Sequence, residues 1–262
     1  MSSASPVIII TGASKGIGKA ATIAALEKFN ARVVAIARSG DLLNELHEHV
    51  SKVLNKGDQL ELVAGDATNK DIVQKAVDTA VQKWGRLDSV IANAGVLEPV
   101  ATVAESSIED WKKLFDVNFF SVILLAQIAL PHLRKADNGS IVIVSSGAAL
   151  KGYRGWGAYG SSKAAINHLT NTLGVEEPNV TTVALRPGVV DTGMQDTIRA
   201  VGAEAMKDDH AKFVDLHREG KLIDPKTPGH ILSALACNPP KELSGRFFSW
   251  DDNEMKPYQP SV

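Results

Sequence analysis

Seven short apolar runs punctuate the chain: PVIII (6–10), RVVAIA (32–37), LELVA (60–64), DSVIA (88–92), SIVIVS (140–145), VTTVALR (180–186) and GRFFSW (245–250). Most are unbroken stretches of Val, Ile and Leu rather than alternations of apolar and polar positions. That pattern predicts strands covered on both faces, as in a parallel sheet. Between them, apolar positions recur at helical spacing near 16–29, 41–55, 69–84, 107–135, 158–175 and 226–237. Strand and helix alternate throughout, so the expected fold class is α/β, a doubly wound parallel sheet. Residues 191–224 are polar and only weakly periodic. An excursion of that length inside a domain predicts a lid over a site, with a plain surface insertion as the alternative.

Composition changes this picture little. The 262 residues suit one large domain spanning 1–262, and 44% hydrophobic with 22% charged residues is ordinary for a globular chain. A formal charge of −2, with no basic block, gives no reason to expect nucleic acid as a partner. The single cysteine, Cys237, excludes an internal disulfide framework and fits a reducing compartment. The start MSSASPVIII lacks the features of a secretory signal, and the end PYQPSV matches neither a prenylation box nor a peroxisomal address. No run of about 18 apolar residues is expected to span a membrane. The expected location is cytoplasmic, and no metal site is predicted.

The first strand leads into TGASKGIGKA, which places Gly12, Gly16 and Gly18 where a strand must turn into a helix. Glycines there permit the tight turn and let backbone N–H groups approach a pyrophosphate at the helix N-terminus. Ser14, Lys15 and Ile17 fill the rest of that loop. A structural turn accounts for glycines alone; their position in the first strand-to-helix turn favours a dinucleotide. The second strand ends in AIARSG, where Arg38 stands in place of the acidic residue that accepts from a ribose 2′-OH. Arg38 and Lys15 together suit a 2′-phosphate, so the expected cofactor is NADP(H). Asp66, in GDAT, suits the adenine amino group, with a turn role open beside it, and Thr68 or Asn69 suits the next helix cap.

Later in the chain, GWGAYGSSKAA (155–165) sets Tyr159 four residues before Lys163, on one face of a helix. With NAG (93–95), SS (145–146) and RPGVVDT (186–192), the motifs fall in the order found in the short-chain dehydrogenases/reductases, which the chain resembles over essentially its whole length. EEPNV, RPGVVDTGMQ and EGKLIDPK resemble the sepiapterin reductase branch, which takes in fungal benzil reductase-like carbonyl reductases.

The resemblance implies a Rossmann-like domain with a seven-stranded parallel sheet, and an NADPH-dependent reduction of a ketone, an α-dicarbonyl such as benzil, or a pterin side chain. It implies catalytic roles for Asn118, Ser146, Tyr159 and Lys163. Tyr159 would be the general acid, its pKa lowered by the neighbouring ammonium. Ser146 would polarise the carbonyl, with Ser145 its structural neighbour, and Asn118 would hold a water that links Lys163 to solvent. Lys163 would hold the nicotinamide ribose, Asn93 the floor of the cofactor cleft, and Val190 and Thr192 the carboxamide. Trp156, Met194 and Asp251 are the candidate substrate residues, with a plain core role open for Trp156 and Met194; Asp251 would anchor a pterin, with the adjacent Asp252 and a solvated acidic turn as open alternatives. Pairing through the helices that carry Asn118 and Tyr159 makes a homodimer expected. A non-catalytic NADP(H)-sensing protein on the same fold is the alternative.

Overall fold

The computed structural model describes residues 5–260. Its seven strands are β1 (Val7–Thr11), β2 (Arg32–Ala37), β3 (Leu60–Ala64), β4 (Ser89–Ala92), β5 (Gly139–Val144), β6 (Val180–Arg186) and β7 (Arg246–Ser249). They form one parallel sheet in the order β3-β2-β1-β4-β5-β6-β7. The helices are α1 (Gly16–Phe29), α2 (Gly40–His49), α3 (Lys70–Trp84), α4 (Ile108–Phe115), α5 (Ser121–Leu133), α6 (Gly157–Glu176), α7 (Gly193–Met206), α8 (Asp208–Arg218) and α9 (Lys226–Cys237).

The unbroken apolar runs have a direct cause. In β1, Ile8 and Ile10 enter a core shared with α1, α2 and α9, whereas Val7 and Ile9 enter a second core shared with α3, α5 and α6. Alternate side chains point to opposite faces, and both faces are covered, so every position must be apolar. Full burial contributes roughly 1.5–3 kcal/mol per large aliphatic side chain. Helix caps contribute about 1 kcal/mol each. Ser39 accepts from Leu42 N (3.5 Å), Asn69 from Asp71 N (2.8 Å) and Ser107 from Asp110 N (3.1 Å). The caps set where helices begin; the buried stripes hold them down.

Three sequence-based expectations change. The helix expected over 41–55 ends at His49 and passes through a π-helical turn, Val50–Leu54, to a left-handed Asn55 (φ 54°). The one expected over 107–135 contains a π-helical turn, Asp116–Phe120, that carries Asn118. Residues 191–224 are mostly two helices, α7 and α8, joined at Lys207 (φ 48°). The inward positions of α7 are Gln195, Ile198, Gly202 and Met206; only two are apolar, so the helical period is faint.

The continuous helix Ile108–Leu133, 26 residues, is long and apolar enough on average to cross a membrane, although no unbroken apolar run of about 18 residues lies in it. Here it lies against the sheet: Val122, Leu125, Ala126, Ala129 and Leu133 fill the second core.

Candidate active site

Strand order reverses between β1 and β4, and a cleft opens at the carboxyl ends of the strands there. Its volume is about 560 Å³. Asn93, just past β4, pins the two sides together. Its Nδ2 donates to the carbonyls of Thr11 (2.9 Å) and Gly12 (3.2 Å), while Thr11 Oγ1 accepts from Asn93 N and Ala94 N, both at 3.1 Å. Gly12 (φ 66°) and Gly16 (φ 52°) lie in the left-handed region. Gly18 is required by space: a Cβ there would lie 2.2 Å from Gly12 O and 2.5 Å from Asn93 Nδ2.

Lys15, the N-cap of α1, offers no side-chain acceptor to the first turn. The free N–H groups of that turn, beside a backbone stripped of side chains, suit an anion such as a pyrophosphate. Ser14, Lys15, Gly16 and Ile17 line the cleft. Arg38 and Asp66 line its flank, and one oxygen of Asp66 already accepts from Thr68 N and Oγ1, each at 2.9 Å. The cap of α3 falls to Asn69 rather than Thr68. Thr192 approaches the loop from the other side: a Cβ on Gly16 would meet its methyl group at 3.1 Å. Val190 is bridged to Ile223 at the edge of the same cleft. These residues fit a dinucleotide.

Tyr159 and Lys163 lie one turn apart on α6 and line the cleft with Ser146. Lys163 Nζ donates to Val144 O at 2.8 Å and lies 5.9 Å from the centre of the Tyr159 ring. Burial pushes the amine down to about 8. For the phenol the direction opposes the expectation. Burial pushes Tyr159 up, and the nearby Ser146 hydroxyl only partly offsets that. Ser145, by contrast, turns to α6 and bonds Asn167 Oδ1 at 2.6 Å.

Asn118 is fully buried. Its Oδ1 accepts from Val96 N (2.8 Å), and its amide hydrogens go to Val96 O (2.8 Å) and Ser162 Oγ (3.3 Å). Gly95 passes between it and Lys163: a Cβ there would lie 3.4 Å from Asn118 Oδ1 and 3.8 Å from Lys163 Nζ. The side chain therefore holds the loop that follows β4, and both amide hydrogens are used in doing so.

A family model described as short chain dehydrogenase matches residues 6–201. The chain belongs to the short-chain dehydrogenase family. This dehydrogenase is 38% identical over 264 residues to a Saccharomyces cerevisiae benzil reductase, (S)-benzoin forming, across 97% of this chain and 98% of that protein. The crystal structure of another Saccharomyces cerevisiae short chain dehydrogenase/reductase is 40% identical. It matches with a TM-score of 0.91, across 97% of this chain and 100% of that one. A short chain dehydrogenase from Shigella flexneri, complexed with NADP, is 26% identical with a TM-score of 0.77, across 94% and 97%. The protein is thus an oxidoreductase of this family.

Beyond Tyr159, the walls of the dehydrogenase cleft are aromatic. Trp156 meets Tyr159 edge-on at 5.6 Å and packs against Tyr153 and Phe213, each at 5.0 Å between ring centres. Met194 lines this part too. Tyr153, Gln195 and Phe213 join the cleft without any motif to mark them; only the closeness of Tyr153 to GWGAY is a signal. Asp251 must be moved out of the candidate set. It is exposed, accepts from the Ser249 hydroxyl, and does not line the cleft, because the turn after β7 directs it away.

The depressed Lys163 has a consequence for stability. Between about pH 8 and the ordinary value of 10.5 the unfolded chain binds more protons at this amine than the folded one. The amine's cost is therefore full below pH 8 and fades as pH rises through that window. Lys163→Met should raise the thermal midpoint at pH 7, by a gain on the order of 1–2 kcal/mol, and raise it less near pH 10. Midpoints measured against wild type at both pH values check this; an equal shift at the two would contradict it.

Proposed function

We propose that this oxidoreductase is an NADPH-dependent carbonyl reductase that converts a ketone or α-dicarbonyl to an alcohol. The observation that carries the reading is the convergence of the Tyr159 phenol, the Ser146 hydroxyl and the Lys163 amine on one cleft, beside a glycine-lined cradle. The bound cofactor supplies a hydride to the carbonyl carbon. Tyr159 gives its proton to the carbonyl oxygen, and Ser146 donates a hydrogen bond to the same oxygen as charge develops there. Lys163 holds the nicotinamide ribose hydroxyls, and Val190 and Thr192 hold the carboxamide. Asn118 positions the loop after β4 that floors the cleft.

Arg38 and Lys15 grip the 2′-phosphate, in keeping with the NADP bound by the relative from Shigella flexneri. The substrate assignment draws on the benzil reductase likeness and the aromatic wall. With Asp251 outside the cleft, a pterin loses the carboxylate that would hold it. Residues 1–262 act as one catalytic unit in which α7 and α8 form the lid, since Met194 and Phe213 reach the cleft from them. A cytoplasmic location is part of this reading.

The activity is tested by following NADPH absorbance with benzil and related diketones. Tyr159→Phe should lower kcat by about 10²-fold or more; equal rates in the two proteins would remove Tyr159 from the mechanism. Arg38→Ala should raise the KM for NADPH by about tenfold and leave that for NADH nearly unchanged. Equal effects on both would take Arg38 out of the phosphate site.

A homodimer through α6 and the continuous helix Ile108–Leu133, which carries Asn118, completes the reading, with Phe120, 54% exposed, in the π-helical turn available to cover. Light scattering should give twice the mass of one chain at micromolar concentration, and a monomer would refute the pairing.

A further inference from the structure

Helices α7 and α8 form a hairpin whose backbone is tied to the rest of the chain at two places. At its base Val190 bridges Ile223, with Asp191 N donating to Ile223 O and Ile223 N to Val189 O, both at 2.9 Å. Both ends of the hairpin therefore leave the domain at one point. At its far end the chain turns at Lys207, φ 48°, and α8 begins. There Asp209 Oδ2 accepts from Arg154 N at 2.9 Å. Among the described residues, no other hydrogen bond and no ion pair joins α7 or α8 to an element beyond that base.

Asp209 grips the segment Tyr153–Trp156, which leads into α6 and carries two rings of the cleft wall. The tip seats closely on it. A Cβ on Gly155, whose φ is 80°, would lie 3.2 Å from Ala205 Cβ and 3.3 Å from Ala205 O. Glycine meets both the backbone angle and the close approach. Phe213 of α8 then packs on Trp156 and Tyr153, 5.0 and 5.9 Å between ring centres. From the other side, Ala101 N donates to Gly155 O at 3.0 Å. The segment is thus held between the loop after β4 and the tip of the hairpin.

Apolar contact between the rings is non-directional, whereas a hydrogen bond to a carboxylate fixes position. The Asp209 bond is open to solvent, where water competes for both partners, so it can be broken and remade. It also acts at the end of a long arm: the 14 residues of α7 span about 21 Å. We propose that Asp209 is a positioning residue that latches the lid shut. With the latch open, the hairpin swings about the Val190–Ile223 bridge and a ketone reaches Tyr159. With it closed, Met194, Ile198 and Phe213 complete the wall, and Trp156 is held in place. Asp209 itself touches no substrate. The kinetic part of the test rests on the carbonyl-reductase reading above; the exchange part does not.

Three variants of the full-length protein separate the latch from a general effect on α8. Asp209→Ala removes the acceptor, Asp209→Asn keeps an acceptor oxygen, and Asp208→Ala removes the neighbouring carboxylate from the same first turn. With NADPH and benzil, Asp209→Ala should raise the KM for benzil about threefold or more, without lowering kcat or changing the KM for NADPH. Without substrate, hydrogen exchange at the Ala101 amide, whose acceptor is not a lid atom, should quicken roughly tenfold in Asp209→Ala. Asp209→Asn and Asp208→Ala should stay close to wild type in both measurements. An unchanged Asp209→Ala, an Asp209→Asn as impaired as the alanine variant, an Asp208→Ala that matches it, or a fall in kcat at unchanged KM would overturn the latch and leave the reductase reading intact. Faster exchange in Asp209→Ala alone, in a protein inert toward diketones, would uphold the latch and overturn that reading.

Discussion

Lys163 keeps its amine almost wholly out of water, with the carbonyl of Val144, 2.8 Å away, as its hydrogen-bond acceptor. An unpaired buried ammonium costs several kcal/mol, and one neutral acceptor offsets only part of this. Burial accordingly pulls the amine's pKa down to about 8. The same bond ties α6 to the end of β5. Tyr159 lies one turn before Lys163, and Ser146 lies two residues after Val144, so this tie fixes the phenol and the hydroxyl relative to each other. The central strands beneath this tie are buried on both faces.

A second constraint acts across the cleft. Gly18 must approach the Gly12 carbonyl, and Asn93 must reach the same carbonyl from β4. Together they set the width of the cradle. Asn118 does comparable work three residues further along the same loop, holding both backbone groups of Val96. It lies in a π-helical turn, where the extra residue re-aims side chains relative to a regular helix. Such turns concentrate at functional sites, and here the helix serves two purposes: α5 packs its apolar side on the core, and the turn turns an amide inward.

Much of this architecture is legible in the amino-acid order. The strands announce themselves because residues covered on both faces must all be apolar, and 226–237 matches α9 residue for residue. The cradle is legible because glycine alone tolerates its angles and close approaches. Other features leave no local mark. Gln195 and Gly202 break the apolar stripe of α7, so its helix is hidden. The π-helical turns depend on what the helix must meet, and sequence period does not encode that. Asp251 and Asp252 look interchangeable in sequence, and the turn after β7 keeps Asp251 out of the cleft, bonded to Ser249.

By itself, the sequence determined the α/β alternation, the glycine cradle and the spacing that puts Tyr159 and Lys163 on one helical face. These depend on backbone geometry and on residues a few positions apart. Only the tertiary structure decided how deeply that pair is buried, and so reversed the expected direction for the phenol, since desolvation comes from elements distant in the chain. It alone brought Trp156 and Gln195, 39 positions apart in sequence, to the wall of one cleft.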